Sequence, residues 1–225
     1  MPVPATVVVN AAGLGSRLGL ERPKALLEVA GRPLIAWQLD LLRDVADVRV
    51  VLGYQAAEVA DVVFAVRPEA MVVLNHDFAS TGTAASLMRG AMGVRGRVVS
   101  LDCDLIVHPA DLRLFIDAPE PVLGIVDVQS EEPVYVRVTE DGDGGLVARD
   151  FDRDYLPGDF EWSGLITFDP TSPHLGPRRG HVFELVRSLL PMRAAPIRAR
   201  EVDYPEEVEP MGQWIDELVT RGYFS

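Results

Sequence analysis

The run Val7-Val8-Val9-Asn10-Ala11-Ala12-Gly13-Leu14-Gly15-Ser16-Arg17-Leu18, continued to Pro23-Lys24, decides the fold of this chain. Three consecutive β-branched residues without a charge predict a buried strand. The small residues after them predict a loop in which glycine lets an anion approach the backbone, and free backbone N–H groups favour phosphate. Arg17 and Lys24 add two cations to this polyphosphate-binding loop. Its expected nucleotide-binding residues are Ala11, Ala12, Gly13, Gly15, Ser16 and Arg17.

Two common glycine-loop motifs do not match this stretch. A dinucleotide-binding fingerprint requires a third glycine, and Leu18 stands at that position. A Walker loop requires Gly-Lys-Ser or Gly-Lys-Thr, which the sequence lacks. The structural alternative is an ordinary strand-to-helix turn with two incidental glycines. The alanine pair before the glycines and the cations Arg17 and Lys24 after them favour phosphate binding.

The charge balance limits the partners of this chain. Its 225 residues include 34 Asp and Glu against 21 Lys and Arg, a formal net charge of −13. This excess argues against a nucleic-acid partner, because phosphate backbones require Lys and Arg footprints. A small nucleotide is compatible, because a local cation pair and a metal hold a triphosphate in an acidic protein. We also expect no membrane partner, and a homodimer is compatible with the sequence.

The cysteine content and the N-terminal region indicate the compartment. Cys103 is the sole cysteine, so no intramolecular disulfide forms and a reducing compartment is expected. The sequence shows neither a signal peptide nor an apolar run long enough for a membrane helix. The expected location is therefore the cytoplasm.

Alternating strand and helix patterns in the first half predict the fold class. Strands are expected at 48–52, 71–74 and 97–101, each preceded by a helix, at 33–42, 56–66 and 84–92. This alternation predicts an α/β, doubly wound, mostly parallel sheet (Rossmann-like) with helices on both faces. We expect a single domain over residues 1–225, with a nucleotide-binding half at about 1–118 and an acceptor-binding half at about 119–225.

The second half predicts a small antiparallel extension of the same mixed sheet. The expected strands are 122–128, 134–138, 146–151 and 164–168, with an exposed hairpin turn at 141–145. A helix is expected at 181–190, an extended segment at 196–202 and a closing helix at 205–221.

Two carboxylates follow the fourth expected strand, in Asp102-Cys103-Asp104. In doubly wound sheets, ligands bind beyond the carboxyl ends of the strands, where the strand order reverses. An order 3-2-1-4 brings the phosphate loop and this carboxylate pair into one cleft. Side chains alternate along an extended segment, so we expect only one of Asp102 and Asp104 to face the cleft. The alternative is that both are ordinary turn residues at a strand end.

The run from Ala11 to Lys24 resembles a known signature, Leu-Ala-Ala-Gly-x-Gly-x-Arg, then a gap and Pro-Lys. It belongs to the nucleotidyltransferases that make nucleotide sugars and related activated alcohols. This family, of the sugar-phosphate and phosphocholine type, lies in the nucleotide-diphospho-sugar transferase superfamily, and the resemblance implies its Rossmann-like, GT-A-type fold. Asn10 departs from the family, which has an apolar residue there. Beyond Asp104 the resemblance weakens, except near Asp203.

The resemblance implies a magnesium site made by Asp104 and Asp203. In the family, an aspartate at the end of the fourth strand holds magnesium, and Asp104 takes that position. The run Glu201-Val202-Asp203-Tyr204-Pro205-Glu206-Glu207 is similar to the family's Asp-Thr-Pro-Glu-Asp-Leu, whose first aspartate completes the site. Asp102 is expected to support the ligands or to orient the loop. The local sequence is equally compatible with Asp203 as a helix N-cap.

The segment from Asn75 to Ser86 resembles the branch that transfers CMP to phosphocholine or similar small phosphorylated or phosphonate alcohols. The alternative is that Ser80 or Thr81 merely caps a helix. The resemblance implies nucleotide contacts from Asn75, Thr81, Gly82, Thr83, Ser86 and Asp102.

Glu161 and Trp162 precede a strand at which the family contacts the acceptor. The resemblance therefore implies that both residues bind the acceptor, together with Lys24. The indole face of Trp162 suits a sugar or a cationic head group. A buried core tryptophan is the alternative.

The activity that the resemblance implies is magnesium-dependent nucleotidyl transfer. An acceptor phosphate or phosphonate oxygen attacks the α-phosphorus of a nucleoside triphosphate in line, and pyrophosphate leaves. As catalytic residues, Arg17 grips the pyrophosphate and Lys24 stabilises charge at the α-phosphate. CTP with a small phosphorylated alcohol is the first expectation, and a sugar 1-phosphate with UTP, dTTP or GTP the second. The rivals are an Asp-x-Asp glycosyltransferase and a non-catalytic nucleotide-binding module.

Overall fold

The computed structural model describes residues 5–15, 18–19 and 21–224, so the expected site residues Ser16 and Arg17 lie outside the described residues. The strands are β1 (Thr6–Ala11), β2 (Glu28–Val29), β3 (Arg32–Pro33), β4 (Asp47–Leu52), β5 (Met71–Leu74), β6 (Val98–Asp102), β7 (Leu105–Val107), β8 (Val122–Val126), β9 (Tyr135–Glu140), β10 (Leu146–Asp152), β11 (Phe160–Phe168), β12 (Met192–Pro196) and β13 (Ala199–Glu201). The helices are α1 (Leu34–Leu41), α2 (Ala56–Val66), α3 (Phe78–Gly90), α4 (Pro109–Asp117), α5 (Val182–Val186) and α6 (Val208–Thr220).

The fold is mixed α/β, and its parallel part is built on β1. Strand β1 pairs with β4 on one side and with β6 on the other, and β5 lies beyond β4, all in parallel register. In chain order this arrangement is 3-2-1-4, the order under which the phosphate loop and the carboxylate pair share one cleft. The strand order therefore reverses between β1 and β6, so the loops that follow these two strands meet at one edge of the sheet.

The second part of the main sheet is mixed and mostly antiparallel. Across the described residues the strand order is β5-β4-β1-β6-β11-β8-β12-β10-β9. Strand β11 runs antiparallel to both β6 and β8, whereas β12 runs parallel to β8. The hairpin of β9 and β10 closes through a hydrogen bond from Asp141 N–H to Gly145 O (2.8 Å), which confirms the expected turn.

Strand β11 is longer than the sequence predicts. It begins at Phe160 rather than at residue 164, and its pairing with β8 shifts register between Trp162 and Ile166. Gly164 lies in this irregularity with φ +84°, a conformation that favours glycine. The bulge divides the apolar pattern, so only the second half of the strand was recognisable. Strand β12 was not predicted either.

Three helices also differ from the expectation. Helix α3 begins at Phe78 instead of residue 84, and Gly82 interrupts it with non-helical angles (φ 74°, ψ −179°). Helix α5 ends at Val186 and continues only as a 3-10 turn. Helix α4 was not predicted, because its N-cap is His108, whose Nδ1 accepts a hydrogen bond from Ala110 N–H (3.2 Å). Histidine is not among the usual N-cap residues.

The three central valines of β1 connect two hydrophobic layers. Val7 and Val9 pack in the layer that contains α1 and α2, whereas Val8 packs in the layer that contains Leu87 of α3. All three valines are fully buried, and the alternation follows from the two-residue period of a strand. Burial on both faces holds β1 at the centre of the sheet and fixes the point where its loop begins.

Candidate active site

A cavity of about 550 Å³ opens where β1 and β6 end. The expected site residues that line it are Ala11, Ala12, Gly13, Gly15, Lys24, Gly82, Thr83, Ser86, Asp102, Asp104, Glu161, Trp162 and Asp203. Lining residues that sequence reasoning missed include Ser130, Glu132, Arg153, His181, Phe183 and Glu201. The fold thus brings the loop after β1, the end of β6, the start of β11 and the segment after β13 to one place.

The glycine loop folds back against the segment that carries Lys24. Gly15 has φ +65°, and a Cβ there would lie 3.2 Å from Lys24 N, so both the angle and the space favour glycine. The Ala12 carbonyl accepts a hydrogen bond from Tyr54 N–H (3.3 Å), which ties the loop to the end of β4. Gly13 is exposed on the cavity side, and nothing lies within 4 Å of a Cβ built there.

Lys24 links two carboxylates on the floor of the cavity. Its Nζ donates to Asp104 Oδ2 (2.6 Å) and to Asp203 Oδ1 (2.5 Å). Burial opposes the charged form of Lys24, but attraction by Asp104 and Asp203 outweighs this effect, and the pKa of the ammonium is raised above its usual value. A lysine ammonium that stays charged at neutral pH therefore lies between two carboxylates.

Asp104, Glu201 and Asp203 form a carboxylate cluster around this ammonium. One oxygen from each lies within 4.8 Å of the other two. Asp104 Oδ1 is buried and accepts no hydrogen bond from any residue of the described part of the chain. Magnesium prefers carboxylate oxygens, so the orphaned oxygen and the three converging carboxylates fit a divalent cation.

The pairing of β13 with β7 brings the late carboxylates to the end of β6. In this short ladder Glu201 faces Leu105, and Val202 N–H donates to Asp104 O (3.3 Å). Glu201 was missed by the sequence reasoning, although it lies two residues before Asp203 in an extended segment, where alternate side chains share a face.

Asp203 is not the N-cap residue of the following helical turn, so that alternative is wrong. The 3-10 turn that begins at Pro205 has Tyr204 at its N-cap position, and Glu207 Oε2 within the turn accepts from the backbone N–H groups of Asp203 (2.6 Å) and Tyr204 (2.9 Å). The Asp203 carboxylate is thereby directed to Lys24 rather than to the helix start.

Asp102 and Asp104 both line the cavity, so the expectation that only one of them faces it was wrong. The strand ends at Asp102 and the chain turns at residues 103–104, so the alternation of an extended segment no longer applies. Asn10 Nδ2 donates to Asp102 Oδ1 (3.0 Å) and to Ser100 Oγ (3.1 Å). Burial, assisted by repulsion from Asp104, raises the pKa of Asp102 to about 7 against the opposing Asn10 hydrogen bond.

Asn75 and Thr81, both expected to bind nucleotide, are not among the residues that line the cavity. Asn75 is fully buried, and its Nδ2 donates to Thr81 Oγ1 (3.2 Å) and Ser86 Oγ (2.9 Å). These bonds stabilise the bend before Gly82. The capping alternative also differs from the structure, because α3 has Asp77 at its N-cap position rather than Ser80 or Thr81.

Gly82 lies where α3 contacts the loop that precedes α5. Gly180 N–H donates to Thr81 O (3.1 Å), and Gly180 O accepts from Ala84 N–H (3.0 Å). A Cβ on Gly82 would lie 2.4 Å from Gly180 O, and its φ of +74° also favours glycine. The bond pair places Gly82, Thr83 and the 180–183 segment side by side on the cavity wall.

Glu161 and Trp162 form the opposite wall from the start of β11. Glu161 is 6% exposed, and its Oε2 accepts the N–H groups of Gln129 (2.8 Å) and Ser130 (3.1 Å). The Trp162 ring packs on Phe151 (centroids 5.6 Å apart) and on Phe183 (6.3 Å) while also lining the cavity. Trp162 therefore packs in the core and also lines the cavity, and its role in acceptor binding stays a prediction.

The fold and this site define an α/β protein with a glycine loop and a carboxylate cluster at the carboxyl ends of its parallel strands. The chain belongs to the MobA-like NTP transferase domain family, whose model matches residues 7–163. The match ends inside β11, so it includes the glycine loop, Asp104 and Glu161 but not Asp203.

Curated relatives match about two thirds of the chain or less. The bifunctional protein GlmU of Geobacter metallireducens is 29% identical over 158 residues, which are 67% of this chain and 33% of that protein. The CMP-5'-(3-aminopropyl)phosphonate synthase of Streptomyces rubellomurinus is 35% identical over 125 residues, 52% of this chain and 20% of that protein. The chain thus spans about a third or less of the length of these relatives.

Solved structures share the fold over nearly the whole chain. The inositol-1-phosphate CTP transferase from T. maritima has a TM-score of 0.74 at 14% identity, covering 97% of this chain and 98% of its own. The CTP:phosphocholine cytidylyltransferase from Streptococcus pneumoniae has a TM-score of 0.71 at 17% identity, covering 95% of this chain and 100% of its own. In the described ranges of our chain, no helix is long and apolar enough to cross a membrane.

Proposed function

We propose that this chain is a nucleotidyltransferase that moves a nucleoside monophosphate, with CTP as the first choice of donor, to a small phosphorylated or phosphonate acceptor. The observation that carries the proposal is the Lys24 ammonium, held between Asp104 and Asp203 directly below the glycine loop. A charged group at this point meets the α-phosphate of a triphosphate whose tail lies on the loop.

The residues have separate tasks in this proposal. Backbone N–H groups of the loop from Ala11 to Gly15 bind the triphosphate, and Lys24 stabilises the charge that develops at the α-phosphate. Arg17, which lies outside the described residues, is proposed from the sequence to bind the leaving pyrophosphate. The acceptor needs no protein nucleophile, because its phosphate or phosphonate oxygen is already ionised and attacks in line.

The carboxylate cluster supplies the metal site of the proposal. Asp104 and Asp203 would hold magnesium with Glu201 as a third candidate ligand, and the bound ion would neutralise phosphate charge. Asn10 positions Asp102 beside this cluster, so Asp102 supports the ligands.

The choice of CTP is supported by the names of related proteins. A CTP transferase and a CTP-dependent cytidylyltransferase share the fold, and a CMP-phosphonate synthase is 35% identical over its matched part. Gly82, Thr83 and Ser86 line the cavity from α3, and we assign the nucleoside to them. The two parts of the chain, about 1–118 and 119–225, then bind nucleotide and acceptor respectively.

The test is pyrophosphate release in the presence of magnesium. CTP, UTP, dTTP and GTP are each combined with phosphocholine, an aminoalkyl phosphonate and a set of sugar 1-phosphates. We expect release that requires CTP and a small phosphorylated or phosphonate acceptor. Release only with a sugar 1-phosphate would replace the acceptor assignment. No release from any pair, although a triphosphate raises the melting temperature, would favour a non-catalytic binding module.

A further inference from the structure

Gln38 is a fully buried polar side chain in α1, whose neighbours Ile35 and Leu39 belong to the hydrophobic layer on that side of the sheet. Its Nε2 donates two hydrogen bonds, to Asp102 O (2.7 Å) and to Leu105 O (2.5 Å). Both partners are acceptors, so the NH₂ group of the side chain faces them. Gln38 thus bridges the last residue of β6 and the first residue of β7.

The two residues between these carbonyl groups form the turn that carries Asp104. Strand β6 belongs to the main sheet and β7 pairs with β13, so the turn connects two sheets. Cys103 N–H donates to Asn10 O (3.1 Å), which ties the turn to β1. Asp104 O accepts from Val202 N–H (3.3 Å), which ties it to the segment that carries Asp203. The turn is therefore held from three directions, and Gln38 supplies the bonds from the helix layer.

The position of the Asp104 carboxylate depends on this turn. An aspartate side chain has two torsions, so its carboxylate moves with the backbone that carries it. Oδ2 accepts from Lys24 Nζ, whereas Oδ1 has no hydrogen-bond partner among the described residues. A single side-chain contact leaves the orientation to the backbone. Groups of an active site have to be held within about 0.5 Å, and a displacement of about 1 Å can cost a hundredfold in rate.

Stability alone does not account for a glutamine at this position. Its Oε1 is buried and accepts no hydrogen bond from any residue of the described ranges. A buried polar atom without a partner lowers stability, whereas an apolar side chain of similar size carries no such cost. Departures from the rule of an apolar core are expected beside functional sites. The two bonds of Gln38 to the ends of the turn therefore indicate a role in positioning.

We propose that Gln38 is a positioning residue that fixes the Cys103–Asp104 turn and thereby holds the Asp104 carboxylate against Lys24 and beside Asp203. The consequence for metal binding rests on the proposed function, which assigns Asp104 and Asp203 to magnesium. Removing a group that orients a metal ligand typically costs about 10–100-fold in metal affinity or activity.

The test compares two variants that each remove a buried side-chain donor to the backbone. Gln38→Met keeps the length of the side chain and removes both of its bonds to the turn. The matched control is Thr167→Val, because Thr167 is fully buried, donates to Phe115 O (2.9 Å) and does not line the cavity. Both variants should lower the melting temperature by several degrees. A loss of stability is therefore common to both, and the readouts below separate positioning from stability.

The first readout is the side-chain ammonium signal of Lys24 in ¹⁵N-lysine-labelled protein without ligand or metal. Lys24 is the sole lysine, so the signal needs no assignment. We expect Gln38→Met to shift or broaden it, because Asp104 moves away from the ammonium, and Thr167→Val to leave it in place. An unchanged signal in Gln38→Met, or the same change in both variants, would overturn the proposal.

The second readout is the binding of Mn²⁺ alone, followed by the electron paramagnetic resonance signal of the free ion. We expect Gln38→Met to raise the Kd for Mn²⁺ about tenfold or more, and Thr167→Val to leave it unchanged. In turnover with CTP, Gln38→Met should raise the magnesium concentration that gives half-maximal rate by a similar factor, with the KM for the acceptor unchanged. A Kd equal to that of the unmodified protein would overturn the role of Gln38 in metal binding.

Failure of the proposed function gives a different pattern. If the unmodified protein neither binds Mn²⁺ nor releases pyrophosphate, the nucleotidyltransferase assignment is lost, and the Lys24 signal alone decides whether Gln38 positions Asp104. If the unmodified protein is active but Gln38→Met has the same magnesium requirement and the same Lys24 signal, only the role of Gln38 is wrong. Should Gln38→Met not fold, Gln38→Asn replaces it with the same expectations, because its amide is one methylene too short to reach both carbonyl groups.

Discussion

Opposite sides of one cavity are built in different ways. The side formed by the loops after β1 and β6 pairs its carboxylates with a cation, because Lys24 binds both Asp104 and Asp203. The side formed by β11 does not, because Glu161 is buried with backbone N–H groups as its partners. The first side holds its cation in place before a nucleotide binds, which suits chemistry shared by many acceptors. The second side differs by carrying a buried carboxylate that backbone N–H groups hold in place, which suits selection among acceptors.

The largest expected effect tests the first side. Lys24→Ala should lower turnover about a hundredfold or more with every acceptor, because it removes a preorganised charge from the reaction centre. Lys24→Arg should not restore it, because a planar guanidinium cannot replace a point charge between two carboxylates. Pyrophosphate release measures both variants.

Arg113→Ala provides the control for the loss of one positive charge, because Arg113 lies in an exposed ion pair with Asp117 outside the cavity lining. A loss confined to one acceptor would contradict the division between the two sides. Lys24 is also the only lysine of the chain. Selective ¹⁵N-lysine labelling therefore gives one side-chain ammonium signal, whose shift on addition of triphosphate reports the contact directly.

The contact between Gly82 and Gly180 should be sensitive to the addition of a single methyl group at Gly82. Gly82→Ala places a Cβ 2.4 Å from Gly180 O at a positive φ, so we expect about 2 kcal/mol or more of destabilisation. This corresponds to a melting temperature lower by about 4–8 °C for a chain of this size. Gly142→Ala, at an exposed turn where a Cβ meets nothing within 4 Å, is the control for thermal unfolding. Equal melting temperatures would show that Gly180 moves away freely.

A smaller effect is expected at the rim of the acceptor side. Arg153 lies over the Phe183 ring (5.3 Å) and donates to the carbonyl groups of Glu132 (3.0 Å) and Pro133 (3.3 Å). Arg153→Ala should cost about 1 kcal/mol of acceptor binding, or roughly fivefold in KM. The KM for triphosphate should not change. A change in triphosphate KM of the same size would show that the two sides are not separate.

The smallest effect is expected outside the cavity, at the ion pair of Asp111 with Arg198, and it concerns the pH dependence of stability. Burial alone would raise the pKa of Asp111, but hydrogen bonds from Arg198 outweigh it and hold the pKa below 3.8. A lowered pKa stabilises the fold above pH 3.8 and this contribution is lost as the pH falls. Asp111→Asn should therefore lower the melting temperature by about 1–3 °C at pH 7, and the difference should be smaller at an acidic pH below 3.8. A constant difference at both pH values would rule out the ion pair as its cause.

The parallel part of the fold could be predicted because its information is local. Three valines, two glycines and the strand-helix alternation lie in continuous stretches, and they indicate the parallel sheet and the loop after β1. The lining positions of Lys24, Asp104 and Asp203 also follow, because a short motif marks each one.

The acceptor side could not be predicted in the same way. The insertion of β11 between β6 and β8 depends on pairing between distant segments, and no turn signal announces it. Arg153 and Glu201 reach the cavity through such pairings. The role of Asn75 as a buried support likewise depends on its bonds to Thr81 and Ser86, which a polar loop pattern does not distinguish from ligand contacts.

The bonds of Lys24 also constrain how the chain folds. Lys24 and Asp104 are 80 positions apart, and Lys24 and Asp203 are 179 positions apart. Contacts of such high sequence separation carry a loop-closure cost and form late in folding. During synthesis the floor of the cavity is incomplete until the segment before α6 has left the ribosome and docked on β7. Any catalysis that depends on Asp203 is therefore withheld from a nascent or truncated chain, even when its parallel sheet has already formed.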